Sequence, residues 1–296
     1  MINKNFAIFI LAHGRPDKCI TPARLRRAGY TGNIYIILDN EDDTVDKYKE
    51  KFGEENCIIF DKAKVAEKFD IYDNFDGRNV VVFARNVCFD IARELGLDYF
   101  AEFEDDYREF NFRVPVNNNT SLRTIWIQDF DSVCEAMLDF IDSTGIRTAA
   151  FAQTGEMIGG IKGSVWQSKV KRKAMNTFFF KVGKPEEDMY FLGRFNDDVN
   201  VYTLLGSRGE IFIQTPVVNV TQQVTQGTKG GNTDAYLKYG TYAKSFYSLL
   251  SCPSCVKIYT IADVRLSGNG GDHRFHHSIN WEYCVPKIVS DKFKEE

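Results

Sequence analysis

The sequence predicts an α/β fold: a mostly parallel sheet flanked by helices, followed by a more elaborated carboxyl-terminal half. Three observations carry this prediction. Short apolar runs alternate with helix-like segments through the first hundred residues, the pattern of βαβ units. The runs are predominantly apolar, as buried strands are. The runs also end in turn signals or acidic clusters, and the carboxyl ends of such strands are where these sheets bind ligands.

In chain order, Phe6 to Ala12 is an apolar run closed by His13-Gly-Arg-Pro16, hence a first strand. Thr21-Pro22 opens a helix, because proline suits the first turn where its missing N–H costs nothing. Asn33 to Leu38 is a second strand, closed by Asp39-Asn-Glu-Asp-Asp43, and a charged helix follows to about Phe52. Cys57 to Phe60 is a third strand. Asn79 to Leu95 is a longer helix stopped by Gly96, and Tyr99 to Phe103 a fourth strand. Beyond it, Gln128 to Ser143 has helical periodicity, with Phe130, Val133, Met137, Phe140 and Ile141 on one face. Thr148 to Gln153 and Ile211 to Ile213 read as strands, and Asp197 to Leu205 as a short helix. Residues 155–164 are glycine-rich and read as a mobile stretch. A polar, glycine-rich loop spans Thr225 to Thr233, before a helix to about Leu250. The last fifty residues give no clear pattern. No internal repeat or linker appears, so one compact unit spanning 1–296 is expected.

At 296 residues, 44% apolar and 26% charged, the chain can bury a sizeable core. No stretch approaches the roughly 18 unbroken apolar residues of a membrane span. Met1-Ile-Asn-Lys-Asn5 runs straight into a strand-like segment rather than a signal peptide, so a cytoplasmic location and no membrane partner are expected. The net charge of −4 argues against a generally basic nucleic-acid binder, although an average hides local patches. Seven cysteines read as scattered reduced thiols. Cys252-Pro-Ser-Cys255 lacks the partner pair of a zinc site.

The most informative residues end the fourth strand, in Glu104-Asp-Asp106. Carboxylates packed together repel, and a hard divalent cation with oxygen ligands resolves that repulsion while carrying phosphates on its free positions. Residues i and i+2 of an extended backbone share a face, so Glu104 and Asp106 point together and Asp105 points away. The alternative is a solvated turn, which the apolar residues before it disfavour. Arg85, on the preceding helix, has the donor fork that suits phosphate or a planar base; its alternative is a salt bridge to Asp90 or Glu94. Of four histidines, three lie in His273-Arg-Phe-His276-His277 and one is His13. Such imidazoles complete metal sites or bond phosphates, or simply sit on the surface. Phe195-Asn-Asp-Asp198 starts a helix, where Asn196 or Asp197 can cap and a remaining Asp can act as general base or bind the acceptor. From Lys162 to Lys184, seven basic residues including Lys171, Arg172 and Lys173 occur with no acidic one, interleaved with Trp166 and Phe178 to Phe180. That stretch reads either as a loop gripping a polyanion and stacking a base or as a solvated hairpin.

The order of a strand, Arg85-Asn86 on a helix, and a strand ending in Glu104-Asp-Asp106 resembles the GT-A glycosyltransferases. More narrowly, Arg85-Asn86…Ala92…Gly96…Glu104-Asp-Asp106…Phe110 resembles the TET-associated glycosyltransferases of bacteriophages. So do Gly230-Gly-Asn-Thr233…Tyr236…Gly240-Thr-Tyr-Ala-Lys244-Ser245, Pro253-Ser254 and His276-His277-Ser-Ile-Asn-Trp281. The resemblance implies a GT-A-like, Rossmann-type mixed sheet. Residues 1–110 would be the nucleotide-sugar half and 111–296 the acceptor half. It implies Mn²⁺ or Mg²⁺ as cofactor, a nucleoside-diphosphate sugar (a UDP-sugar) as donor, and hydroxymethylated pyrimidines of phage DNA as acceptor, in the host cytoplasm.

By position, Asp106 would be the principal metal ligand, with Glu104 on the metal or the ribose. Glu104 stands where the family usually has Asp. His276 or His277 would be the late metal-binding histidine. His13, Arg15, Asp39, Arg85 and Asp105 would face the nucleotide, and Lys171, Arg172, Lys173 and Trp166 the acceptor. Asp197 or Asp198 would activate the acceptor hydroxyl in an inverting enzyme; retention would need no base there. Three alternatives stand beside this reading: a protein or glycan acceptor, a nucleotidyltransferase, and a non-catalytic DNA-binding module.

Overall fold

The computed structural model describes residues 2–116, 121–163, 165–166, 173–222, 238, 240, 243–262 and 273–284. Strands β1 (Phe6–Leu11), β2 (Asn33–Asp39), β3 (Cys57–Phe60) and β4 (Tyr99–Glu104) form where the apolar runs predict them. They are parallel neighbours in the order β3-β2-β1-β4. Every residue of β1 is buried, since helices cover both faces of a parallel sheet. The connecting helices are α1 (Thr21–Arg27), α2 (Val45–Phe52), the short α3 (Lys62–Ala66) and α4 (Val82–Glu94). Pro22 lies in the first turn of α1. Helix α4 starts at Val82 rather than Asn79, and α3 was not anticipated.

The remaining chain adds β5 (Glu109–Pro115), β6 (Leu122–Trp126), α5 (Phe130–Thr144), β7 (Thr148–Gln153), β8 (Phe178–Lys181), α6 (Asp197–Ser207) and β9 (Phe212–Thr221). All nine strands make one sheet, ordered β3-β2-β1-β4-β8-β7-β9-β5-β6. Strand β8 runs antiparallel to both β4 and β7, which makes the sheet mixed, as expected. Asp129 caps α5 through the backbone N–H of Ser132, and Gly145 ends it in the left-handed region. At the end of α1, Gly29 has φ +89 and a Cβ there would lie 2.1 Å from the Gln128 carbonyl oxygen, so only glycine allows α1 to meet the start of α5.

Four expectations change. Phe178 to Phe180, read as rings for stacking a base, are the buried β8; their alternation packs the two sheet faces, so they cannot stack on a nucleotide. The strand at 211–213 extends to Thr221. The β5–β6 hairpin and a second, two-stranded ribbon of β10 (Val256–Ala262) and β11 (His273–Ile279) were not foreseen. The stretch 155–164, read as mobile, overlaps two 3₁₀ turns, Thr154–Met157 and Gly160–Lys162. The expected loop from Thr225 to Thr233 lies outside the described residues. The ribbon packs on α7 (Ala243–Ser251), and α7 and α8 (Trp281–Cys284) pack on α6.

One core lies between the sheet, α1 and α5, and the other between the sheet, α4 and α6. The first is built on rings: Phe103 contacts Tyr107, Phe110, Phe130, Phe151 and Phe179 at centroid distances of 5.7–6.2 Å. On β9 the pairing slips, because Phe151 pairs with Thr215 but Ala152 pairs with Asn219. Residues 216–218 therefore bulge out of the ladder. Among the described residues no helix is long and apolar enough to cross a membrane. Truncating the central ring, Phe103→Ala, should lower the unfolding free energy by about 3–5 kcal/mol, read as a shifted urea midpoint with an unchanged slope.

Candidate active site

The carboxyl ends of β1, β2 and β4 form one rim, and the turns that leave them set its chemistry. Gly14 has φ +70, which only glycine adopts without strain, and its N–H donates to Asp42 Oδ2 at 2.8 Å. This turn brings His13 Nδ1 to 2.8 Å from Asp39 Oδ2. The buried Lys62 ammonium lies 3.0 Å from the same oxygen. His13 and Lys62 hold the Asp39 carboxyl below its ordinary pKa against the opposing effect of burial. Lys62 was not anticipated; a lysine inside a charged segment carries no sequence signal of burial.

At the end of β4 the three acidic residues part company. Asp105 is 1% exposed and takes a bidentate pair from Arg15, with Nε to Oδ2 at 2.8 Å and Nη2 to Oδ1 at 2.5 Å. Strand β4 ends at Glu104, and Asp105 and Asp106 lie in the turn that follows, so the extended-strand spacing does not govern where these two carboxylates point. Arg15 and Asp105, both expected at the nucleotide, neutralise each other. Arg15 also reaches to 3.8 Å from Asp106 Oδ2. Asp106 Oδ1 is buried and has no hydrogen-bond partner among the described residues.

Arg85 sits behind this rim, 2% exposed. Its guanidinium donates to Glu104 Oε1 at 3.1 Å, lies 3.5 Å from Glu102 Oε2, and forms an ion pair with Asp197 Oδ2 at 2.8 Å. The last contact is close in distance without hydrogen-bond alignment. The Phe178 and Phe191 rings flank it at 5.0 and 5.4 Å. The expected nucleotide contact of Arg85 is therefore replaced by a carboxylate-organising one, since its charge is buried and already shared. Burial pushes Glu102 up to about 8, partly opposed by Arg85. Burial also raises Glu104, Asp106 and, to about 6, Asp105.

Glu104 has a second tether. Gln222 Nε2 donates to Glu104 Oε2 at 3.1 Å, Asn176 Nδ2 donates to Gln222 Oε1 at 2.6 Å, and the Tyr107 hydroxyl donates to the Asn176 carbonyl at 2.6 Å. Asn176 and the α6 N-cap Asn196 have φ of 65 and 53. Residues other than glycine held in this region cluster at functional sites. Asn196 Nδ2 lies 3.0 Å from the Lys244 carbonyl and from Ser248 Oγ, and 3.3 Å from His277 Nδ1. It fastens α7 and β11 to the start of α6.

Of the two candidate bases, Asp197 is buried against Arg85, while Asp198 is half-buried. Burial and the neighbouring Asp197 push Asp198 up to about 6. Burial, His276 and Lys244 push His277 down to about 4, so its imidazole is neutral at neutral pH. The structure does not gather either histidine with Glu104 and Asp106 into a group of three that could hold a metal. Of the expected acceptor residues, Lys171 and Arg172 lie outside the described residues. Lys173 forms an ion pair with Glu156, and burial lowers its pKa to about 8. Trp166 is half-buried, with Nε1 shielded and without an acceptor among the described residues.

A divalent cation fits this rim. Asp106 offers a buried oxygen with no partner, Glu104 lies beside it, and both are hard oxygen donors whose ionisation burial opposes. Magnesium-type ions take one or two protein carboxylates and complete their shell with water and substrate phosphates, which suits a site without a third protein ligand.

The profile of the TET-Associated Glycosyltransferase family matches residues 6–231. The chain belongs to that family. A comparison with curated proteins finds no match. Among solved structures, glucosyl-3-phosphoglycerate synthase from Mycobacterium tuberculosis, in complex with Mg²⁺ and uridine diphosphate, is similar with a TM-score of 0.47 and 8% identity. That likeness covers 94% of this chain and 88% of that one. The mannosyltransferase PcManGT from Pyrobaculum calidifontis, in complex with GDP-Man and Mn²⁺, gives 0.43 and 10%, over 84% and 74% of the two chains. A putative nucleotide-diphospho-sugar transferase from Desulfovibrio desulfuricans G20 gives 0.40 and 11%, over 83% and 94%.

In this TET-associated glycosyltransferase, removing the shared cation should unsettle several anions together. Arg85→Ala should cost about 3–5 kcal/mol of stability, the usual penalty for stranding buried partners, measured by denaturant titration at pH 7. Raising the pH from 6 to 9 should deepen the loss. Wild-type Glu102 ionises at about 8 with Arg85 beside it, whereas without Arg85 burial holds its pKa higher still and its ionisation costs more.

Proposed function

We propose that this protein transfers a glycosyl group from a nucleoside-diphosphate sugar, a UDP-sugar, to the hydroxyl of a hydroxymethylated pyrimidine in DNA. The observation that carries the reading is the pairing of two unlike carboxylate sets across Arg85. On one side, Glu104 and Asp106, whose buried Oδ1 has no hydrogen-bond partner among the described residues, suit a cation; on the other, Asp198 suits proton removal. Family membership supports the glycosyl transfer, and the resemblance to the phage enzymes supports the DNA acceptor.

Glu104 and Asp106 would hold Mn²⁺ or Mg²⁺. The ion, when bound, supplies Lewis acidity toward the diphosphate. Asp39, held ionised by His13 and Lys62, would accept from the base or ribose of the donor. Arg85 fixes the distance between Glu104 and Asp197, and so the position of Asp198 relative to the metal carboxylates. Asp198 would take the proton from the acceptor hydroxyl in an inverting transfer. Lys171 and Arg172 would contact phosphates of the acceptor strand.

A second reading keeps the transfer and changes the acceptor to a glycan or protein. It is favoured by the pairing of Lys173 with Glu156 and of Lys181 with Asp142, which removes charge from the basic stretch. Acceptor binding that weakens steeply with salt supports DNA, because counterion release requires a polyanion.

The deciding experiment is a donor screen on modified and unmodified DNA, with and without Mn²⁺, followed by mass spectrometry of released nucleosides. A hexose mass added only to modified DNA, only with metal, and with release of nucleoside diphosphate is expected. Release of pyrophosphate would instead mark a nucleotidyltransferase. Asp106→Asn should reduce Mn²⁺ binding in calorimetry and lower transfer by about 100-fold or more. As a base, Asp198 works when ionised, so kcat/KM should fall as pH drops through about 6. Asp198→Asn should lower the plateau by about 10²–10⁴-fold and abolish that acid limb.

A further inference from the structure

Beside the carboxylate rim, three carboxamides lie on one face of the sheet. Asn111 on β5 pairs in register with Asn219 on β9. Asn219 and Gln214 pair with Ala152 and Ala150 on β7. Directly paired residues share a face, and Ala150 and Ala152, two apart on one strand, face the same way. Gln214 and Asn219 are five residues apart, so regular alternation would put them on opposite faces; the slip at 216–218 brings them together. The alanines opposite them are small and fully buried.

Each amide is also oriented. Gln214 Nε2 donates to the Glu156 carboxylate, and Asn111 Nδ2 reaches the Glu109 carboxylate at 3.5 Å. Carboxylates only accept, so these nitrogens are fixed toward them. Asn219 Nδ2 donates to Thr154 Oγ1 at 2.7 Å, and that hydroxyl gives its own hydrogen to the Val220 carbonyl at 3.1 Å. The three amide oxygens, Asn111 Oδ1, Gln214 Oε1 and Asn219 Oδ1, are each buried without a donor among the described residues. Asn111, Asn219 and Gln214 are 2%, 1% and 7% exposed. Buried acceptors without donors are rare in folded proteins and call for a ligand or water.

The floor touches both halves of the reaction centre. At one end, Thr221 of β9 pairs with Glu109, and Gln222 bonds Glu104. At the other, Glu156 joins Gln214 to Lys173, which lies within electrostatic reach of Asp198.

We propose that Asn111, Gln214 and Asn219 are the specificity residues of the acceptor pocket, accepting hydrogen bonds from N–H and O–H groups of the acceptor base. This rests on the glycosyl-transfer reading above. A flipped base is read by hydrogen bonds to its edge. A pyrimidine with an exocyclic amine offers two N–H donors at the position where a pyrimidine with a carbonyl offers only an acceptor, which the amide oxygens repel, leaving its ring N3–H as the one donor on that edge. A site built for a donor discriminates strongly against the analogue lacking it.

The test uses oligonucleotides carrying either 5-hydroxymethylcytosine or 5-hydroxymethyluracil, the full-length protein, Mn²⁺ and the donor found by the screen. The wild-type protein should show at least a 10-fold higher kcat/KM on the amine-bearing base. Asn219→Leu and Gln214→Met should each reduce that preference at least fivefold by raising acceptor KM, with KM for the donor in its hydrolysis unchanged. Asn219→Asp, which keeps an acceptor oxygen, should retain most of the preference; it also guards against a misfolded leucine variant. A wild-type preference for the carbonyl-bearing base, or variants that keep the full preference, would overturn the assignment. A rise in donor KM instead would overturn it in favour of a sugar-binding floor. Transfer to neither base, with donor hydrolysis intact, would defeat the DNA-acceptor reading and this inference with it, whereas transfer without discrimination defeats the inference alone.

Discussion

The buried guanidinium of Arg85 is the constraint on which the rest depends. It draws Glu102 and Glu104 of β4 and Asp197 of α6 around one charge, between two phenylalanine rings. A buried ion pair of this kind adds little net stability over apolar packing of the same shape. Its contribution is positional: strand end and helix start, distant in sequence, are fixed relative to each other within the reach of one side chain. Asp105 is neutralised separately by Arg15, so the negative potential left at the rim belongs to Asp106 and part of Glu104.

The amino-terminal half was legible because parallel strands buried on both faces are unbroken apolar runs. Phe6 to Leu11 could hardly be anything else. The carboxyl-terminal half was harder for the opposite reason. The β5–β6 hairpin carries Asn111, Arg113, Arg123 and Thr124 among its apolar residues, and such mixed strands resemble loops. Phe178 to Phe180 misled because a short aromatic run after a basic stretch looks like a stacking platform, and only the pairing of β8 with β4 and β7 reveals it as core. In the site, the i, i+2 rule reaches only to Glu104, because β4 ends there and Asp105 and Asp106 lie in a turn. What no local pattern carried was commitment: Arg85 and Lys62 look like free charges in sequence, and their burial arises from contacts with strands far along the chain.

Two asparagines in left-handed conformations, Asn176 and Asn196, stand on either side of the carboxylates. One belongs to the chain of hydrogen bonds that ends on Glu104, and the other ties the carboxyl-terminal elements to α6. Backbone strain of this sort persists only where surrounding contacts over-determine it. Here those contacts connect the ribbon, the sheet and the helix start, so the carboxylates at the start of α6 and at the end of β4 are held by the same framework.

The slip on β9 has a consequence for how this protein can vary among its relatives. Surface bulges ordinarily accept gained or lost residues with little effect. Here the number of residues between Thr215 and Asn219 sets the parity of everything that follows on the strand. One residue fewer would turn Asn219 toward the aromatic core and Val220 toward the polar floor. The segment should therefore stay fixed in length, with Val218 kept apolar because it is buried in the core and pairs with Phe112 of β5.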